Sequence, residues 1–91
     1  MKERAHLYIS GIVQGVFYRA FTREVANSIG LKGWVRNLHD GRVEAVFEGR
    51  RDLIESAINR CRTGPPGSRI DNIEIIWESH LDNFPDFRIR Y

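Results

Sequence analysis

The sequence predicts an α+β fold: an antiparallel sheet with two helices on one face, in the order β-α-β-β-α-β, with a short strand added at the C-terminus. Three observations predict it. The spacing of apolar residues changes from period two to the 3.6-residue period of a helix and back again, twice along the chain. Asp40-Gly41 places a tight turn between the two central strands. A chain of 91 residues has material for only one core, so residues 1–91 are read as a single domain.

The elements follow in order. Leu7, Ile9 and Val13 alternate with His6, Tyr8 and Ser10, which makes a strand with one buried face running into the Gly11–Gly15 segment. From Phe17 to Ile29 the apolar residues Phe21, Val25, Ala26 and Ile29 share one helical face, and Gly30 stands where a C-terminal cap needs positive φ. Leu31 to Leu38 reads as a second strand and Arg42 to Phe47 as a third, with Val43, Ala45 and Phe47 set against Arg42 and Glu44. Asp52 and Glu55 have the spacing of a capping box. Behind them Leu53, Ile54, Ala57, Ile58 and Cys61 line a second helix, which Gly64-Pro65-Pro66-Gly67 ends. Ile73, Ile75 and Trp77 alternate with Glu74 and Glu78 in a fourth strand. Beyond Pro85, Phe87, Ile89 and Tyr91 alternate with Arg88 and Arg90 in a short last one. The preference for right-handed crossovers, with the tight central hairpin, arranges these elements as a ferredoxin-like split β-α-β sandwich.

Bulk properties narrow the function classes. Hydrophobic residues at 42% suffice for a packed interior, and a formal charge of +2 suits an anionic small molecule without requiring nucleic acid. Cys61 is the only cysteine, which leaves no internal disulfide and no multi-cysteine metal site, and fits a reducing cytoplasm. No apolar stretch approaches the ~20 residues of a membrane span, and the charged start Met1-Lys2-Glu3-Arg4 is not that of a signal peptide. His6, His39 and His80 are scattered, so no metal or other cofactor is expected. With no heptads and no long apolar stripe, the expected state is a monomer. A start on methionine and an end just after the last strand pattern suggest a free-standing protein.

The stretch richest in chemistry is Gly11-Ile12-Val13-Gln14-Gly15-Val16-Phe17-Tyr18-Arg19. It leaves a strand and opens a helix, so its backbone N–H groups can gather at the positive end of a helix dipole, a ready anion site. Gly15 lets a ligand approach the backbone closely. Arg19, in the first helical turn, has a planar fork that fits two phosphate oxygens. Two glycines in a strand-to-helix loop are common, and this spacing is neither that of a Walker A loop nor a dinucleotide fingerprint, so the loop alone leaves phosphate binding open. Asn37 shares parity with Val35 and therefore sits on the apolar side near the end of its strand. Such an amide either serves the adjacent turn or faces the loop.

The run Gly-x-Val-Gln-Gly-Val-x-x-Arg at residues 11–19 resembles the acylphosphatase signature. So does the second block, Gly33-Trp34-Val35-Arg36-Asn37 followed by Asp40-Gly41-Arg42-Val43-Glu44, and Gly64-Pro65-Pro66-Gly67 lies where that family has a Gly-Pro loop. The likeness spans nearly the whole chain, and two long motifs at the right separation are far more specific than one. It implies hydrolysis of acyl phosphates to carboxylate and inorganic phosphate. Arg19 would bind the phosphoryl group, Asn37 would position the attacking water, and the backbone amides of Gln14, Gly15, Val16, Phe17 and Tyr18 would complete the cradle. Ile12 departs from the arginine common after the first glycine, which alters surface charge near the site.

Two other readings compete. One is a non-catalytic module of the same fold that binds acyl or carbamoyl phosphate without turning it over. The other is single-stranded RNA on the open sheet face, where Tyr8, Trp34, Arg36, Arg88 and Arg90 gather. No segment carries the aromatic-rich box of that RNA-binding class, so no nucleic-acid partner is expected.

Overall fold

The computed structural model describes residues 2–91. The elements run β1 (Glu3–Ile12), α1 (Tyr18–Ser28), β2 (Lys32–Asn37), β3 (Val43–Gly49), α2 (Arg51–Thr63), β4 (Arg69–Glu78) and β5 (Phe87–Ile89). They form one sheet in the order β4-β1-β3-β2-β5. The two helices cover one face, and apolar parity decides which. Ala5, Leu7 and Ile9 of β1 and Val43, Ala45 and Phe47 of β3 meet Val25 and Ala26 of α1 and Ile54, Ala57 and Cys61 of α2. Full burial of one such large side chain contributes about 1.5–3 kcal/mol, and Phe47, stacked on Phe87 at 5.5 Å between centroids, is wholly buried. Cys61 lies in this core, where burial pushes its thiol up to about 11.

Four strands are antiparallel to their neighbours, but the fifth is not. β5 runs parallel to β2, pairing Gly33 with Phe87, Trp34 with Arg88 and Val35 with Ile89, so the sheet is mixed. Parity in the sequence identifies this strand without saying where it docks. The segment 79–86 decides that by crossing the end of the sheet from the β4 edge to the β2 edge. Glu48 of β3 holds the crossing by accepting hydrogen bonds from the backbone N–H groups of Asp82 (2.8 Å) and Asn83 (2.9 Å).

The expected capping box at the start of α2 does not form. The helix begins at Arg51 with Arg50 as its N-cap and no side-chain cap, and Asp52 accepts from Arg50 Nη2 at 2.8 Å. Asp52 therefore lies inside the first turn, where its charge still complements the dipole.

The face without helices carries a paired polar network. Arg4 reaches Glu48, Glu78 and Asp82 at 2.7–2.8 Å. Glu44 is held between His6 (2.5 Å) and Arg36 (2.6 Å). Burial works against the ionisation of Glu44, but hydrogen bonds from His6 and Arg36 outweigh it and keep the carboxyl below its usual range.

Candidate active site

The site forms where β1 passes into α1. A register shift between Ser10 and Gly11 interrupts the pairing of β1 with β4, which resumes as Gly11 with Ile70 and Ile12 with Arg69 before the strand ends. Only glycine fits at position 11. Its φ is 131°, and a Cβ there would lie 2.0 Å from the carbonyl oxygen of Arg69. Gly15 has φ 76° and open space beside it, so its requirement is conformational. Phe17, just before the helix, has φ 61° and ψ 26° with its ring in solvent. A left-handed bulky residue costs about 1–3 kcal/mol, and nothing in its own packing offsets that.

That conformation leaves the loop's donors unspent. Among the described residues, no hydrogen bond uses the backbone N–H of any residue from Gln14 to Ala20. The first to be used is that of Phe21, which donates to the carbonyl of Phe17 at 3.0 Å. Helix α1 has no acidic residue in its first turn to answer these groups. An anion is the natural complement of such an end.

Gln14 does not add its side chain to the cradle. Its Nε2 donates to the carbonyls of Leu38 (2.7 Å) and Arg42 (2.9 Å), fastening the loop to the β2–β3 turn. Val16 packs against the core. Tyr18 is buried, and its hydroxyl donates to the carbonyl of Cys61 at 2.7 Å, tying α1 to α2. Burial pushes this phenol far above its usual range, so Tyr18 stays a neutral anchor.

Beside the loop lies a cleft of about 400 Å³, lined by Gly15, Phe17, Tyr18, Arg19, Arg23 and Asn37, with Val13, Ala20, Ile89 and Tyr91 completing its walls. The structure thus brings Arg19 and Asn37, from different elements, to one cavity. Arg19 makes no ion pair among the described residues; its guanidinium lies over the ring of Tyr91, 5.0 Å from the centroid. Asn37 ends β2 opposite Val43, and its Oδ1 is buried without a hydrogen-bond partner among the described residues. A buried acceptor left unmatched costs about 1–3 kcal/mol. Of the two roles open to this amide from the sequence, service to the turn is not what the structure shows, because Gln14 performs it. Asn37 is itself one of the residues that line the cleft.

Arg23, Ile89 and Tyr91 line the cleft without having been singled out from the sequence. Arg23 was within reach, since it follows Arg19 by four residues on one helical face. Ile89 and Tyr91 were not, because their presence depends on where β5 docks. On the open face the sequence-predicted aromatic rings are capped: Arg42 lies 5.0 Å over Tyr8, and Arg36 (5.3 Å) and Arg90 (4.5 Å) lie over Trp34.

Unspent amides, a guanidinium without an ion pair among the described residues, and Asn37 meet at one cleft complementary to an anion, on a ferredoxin-like sheet. The acylphosphatase family profile matches residues 5–89. The acylphosphatase of Pyrobaculum islandicum is 53% identical over 87 residues, covering 94% of this chain and 92% of that protein. The acylphosphatase of Syntrophus aciditrophicus is 47% identical over 91 residues, covering all of this chain and 95% of that one. In three dimensions the acylphosphatase from Bacillus subtilis superposes with a TM-score of 0.96 over the full length of both chains at 33% identity. The chain belongs to the acylphosphatase family and is an enzyme of that family.

Proposed function

We propose that the chain hydrolyses acyl phosphates by direct attack of a water held by Asn37, with the phosphoryl group bound by Arg19 and the amides of the Gly11–Arg19 loop. The observation that carries this reading is that Asn37, whose buried Oδ1 has no hydrogen-bond partner among the described residues, lines the same cleft as Arg19. Phosphoryl transfer is chiefly positioning plus stabilisation of charge on the equatorial oxygens. Arg19 and the unspent donors from Gln14 to Ala20 supply the charge stabilisation. Asn37 Oδ1 accepts a hydrogen bond from the water and turns a lone pair of that water toward phosphorus.

In the step itself the water oxygen forms a bond to phosphorus as the bond from phosphorus to the acyl oxygen breaks. The electron pair of that bond leaves with the carboxylate. The proton given up by the water passes to a phosphate oxygen, yielding inorganic phosphate. A carboxylate is a weak base, so the leaving group needs no general acid. Cys61, buried and with its thiol pushed up to about 11, is not a nucleophile here.

The whole chain acts as one catalytic domain in this reading, as a monomer in the cytoplasm, with a small acyl phosphate as its partner. No helix among the described residues is long and apolar enough to cross a membrane. The test is phosphate release from benzoyl phosphate, with and without EDTA, with Arg19→Ala as control. Release that is insensitive to EDTA and lost in the variant supports the mechanism. Binding of benzoyl phosphate without release would replace it with the non-catalytic module.

A further inference from the structure

We infer that Arg23 binds a second anionic group carried by the acyl part of the substrate, so that the cleft favours acyl phosphates whose acyl group bears a carboxylate or a phosphate. This rests on the acyl phosphate reading above and extends it from the phosphoryl end to the acyl end.

Three observations carry the inference. Arg19 and Arg23 stand four residues apart on α1, hence one above the other with Cβ atoms about 5–6 Å apart, and both line the same cleft. No acidic side chain lines that cleft, and neither arginine has an ion pair among the described residues. Elsewhere Arg4 and Arg36 of the open face, Arg42 beside the β2–β3 turn, Arg69 of β4 and Arg88 of β5 each grip a carboxylate at 2.6–2.9 Å, whereas Arg60, Arg62 and Arg90 lie outside the cleft without one among the described residues. Finally, the arrangement works against the helix. Like charges at i, i+4 are destabilising, the first turn, where Arg19 lies, disfavours cations, and that turn offers no acid in compensation.

One phosphoryl group is already served by Arg19 and the loop amides, which leaves Arg23 a cation in excess. Phe17, Ile89 and Tyr91 give the cleft apolar wall for the carbon skeleton between the two anions. A substrate carrying two anionic groups, one for each arginine, would answer both.

The experiment compares benzoyl phosphate with 3-carboxybenzoyl phosphate and 3-phosphonobenzoyl phosphate, which add one anionic group to the same ring. Both kcat/KM and, with the hydrolysis-resistant acylphosphonates, Kd are measured. Wild type should favour the anionic rings about five- to tenfold, as for one charge-assisted hydrogen bond in a partly open cleft, and the preference should shrink at high salt. Arg23→Gln should bring the ratio close to one, Arg23→Lys should restore part of it, and Arg62→Gln, a loss of equal charge on α2, should leave it unchanged. A preference for only the carboxylate or only the phosphonate ring identifies which anion is selected. No preference in wild type, or the same ratio in Arg23→Gln, overturns the inference. If no ring is hydrolysed but the acylphosphonate Kd ratio still depends on Arg23, the catalytic reading fails and the subsite stands.

Discussion

Two polar regions lie on this small sheet, and they are built in opposite ways. On the open face, Arg4, His6, Glu44, Glu48 and Glu78 hold one another, and hydrogen bonds to Glu48 extend to the backbone of the crossing segment. At the β1–α1 loop the backbone donors from Gln14 to Ala20 and the oxygen of Asn37 have no hydrogen-bond partner among the described residues, and the guanidiniums of Arg19 and Arg23 have no ion pair there. Both regions are rich in charge, so composition does not tell them apart. Satisfaction does. A satisfied network fixes the arrangement of strands, whereas unsatisfied groups around a cleft mark where the folded chain waits for a ligand.

The comparison breaks most decisively at Arg19. Arg19→Ala should reduce kcat on an acyl phosphate by on the order of 10²-fold or more, the effect of deleting one preorganised donor. Its urea midpoint should barely move, because the side chain makes no ion pair in the fold. A large stability loss with activity retained would reverse the assignment of the two regions.

Arg4→Met should do the opposite. It strands Glu48 and Glu78, so unfolding free energy should drop by about 3 kcal/mol, measured in urea. The variant's kcat, assayed where it remains folded, should stay within about twofold of wild type. Asn37→Ala follows. Turnover should fall about tenfold or more, while inorganic phosphate binding by calorimetry stays near wild type. Because the removed oxygen is unmatched, stability should hold or rise slightly. Collapse of phosphate affinity along with turnover would remove the water-positioning role.

Acid separates the regions more gently. Glu44 and Glu78 both have carboxyls held below their ordinary range in the folded state. For Glu78 the chief cause is the hydrogen bond from Arg4, and for Glu44 it is the bonds from His6 and Arg36 that overcome burial. A lowered folded-state value means stability that is fully present above the unfolded carboxylate pKa of about 4.3. That stability is lost as pH falls through the folded values below it. Urea midpoints should therefore be level in this contribution between pH 7 and 5 and fall below about pH 4. Glu44→Gln should flatten that fall. An unchanged acid profile in the variant would show that the network is not what titrates.

Much of this was legible before folding. The alternation of Leu7 with Ile9 and of Val43 with Ala45 and Phe47 follows from the geometry of a strand with one buried face, and each residue lies on the side its parity requires. Arg19 was legible because a loop entering a helix has a polarity that local sequence alone dictates. Asn37 was half legible: parity placed it on the core side, and only the resemblance suggested its role. The capping box was misread because Asp52 and Glu55 have the right spacing in a helix that starts two residues too early for it.

Local sequence is enough to set the order of elements, the faces they bury and the cation at the mouth of α1. All of these depend on local dihedral preference and short-range periodicity. Folding in three dimensions settles that β5 runs parallel to β2, that Tyr91 therefore meets Arg19, and that Gln14 satisfies the turn while the oxygen of Asn37 has no partner among the described residues. Each of these is a contact between residues distant along the chain. Such contacts are settled by which buried polar groups find partners when the sheet closes, and no local pattern encodes that competition.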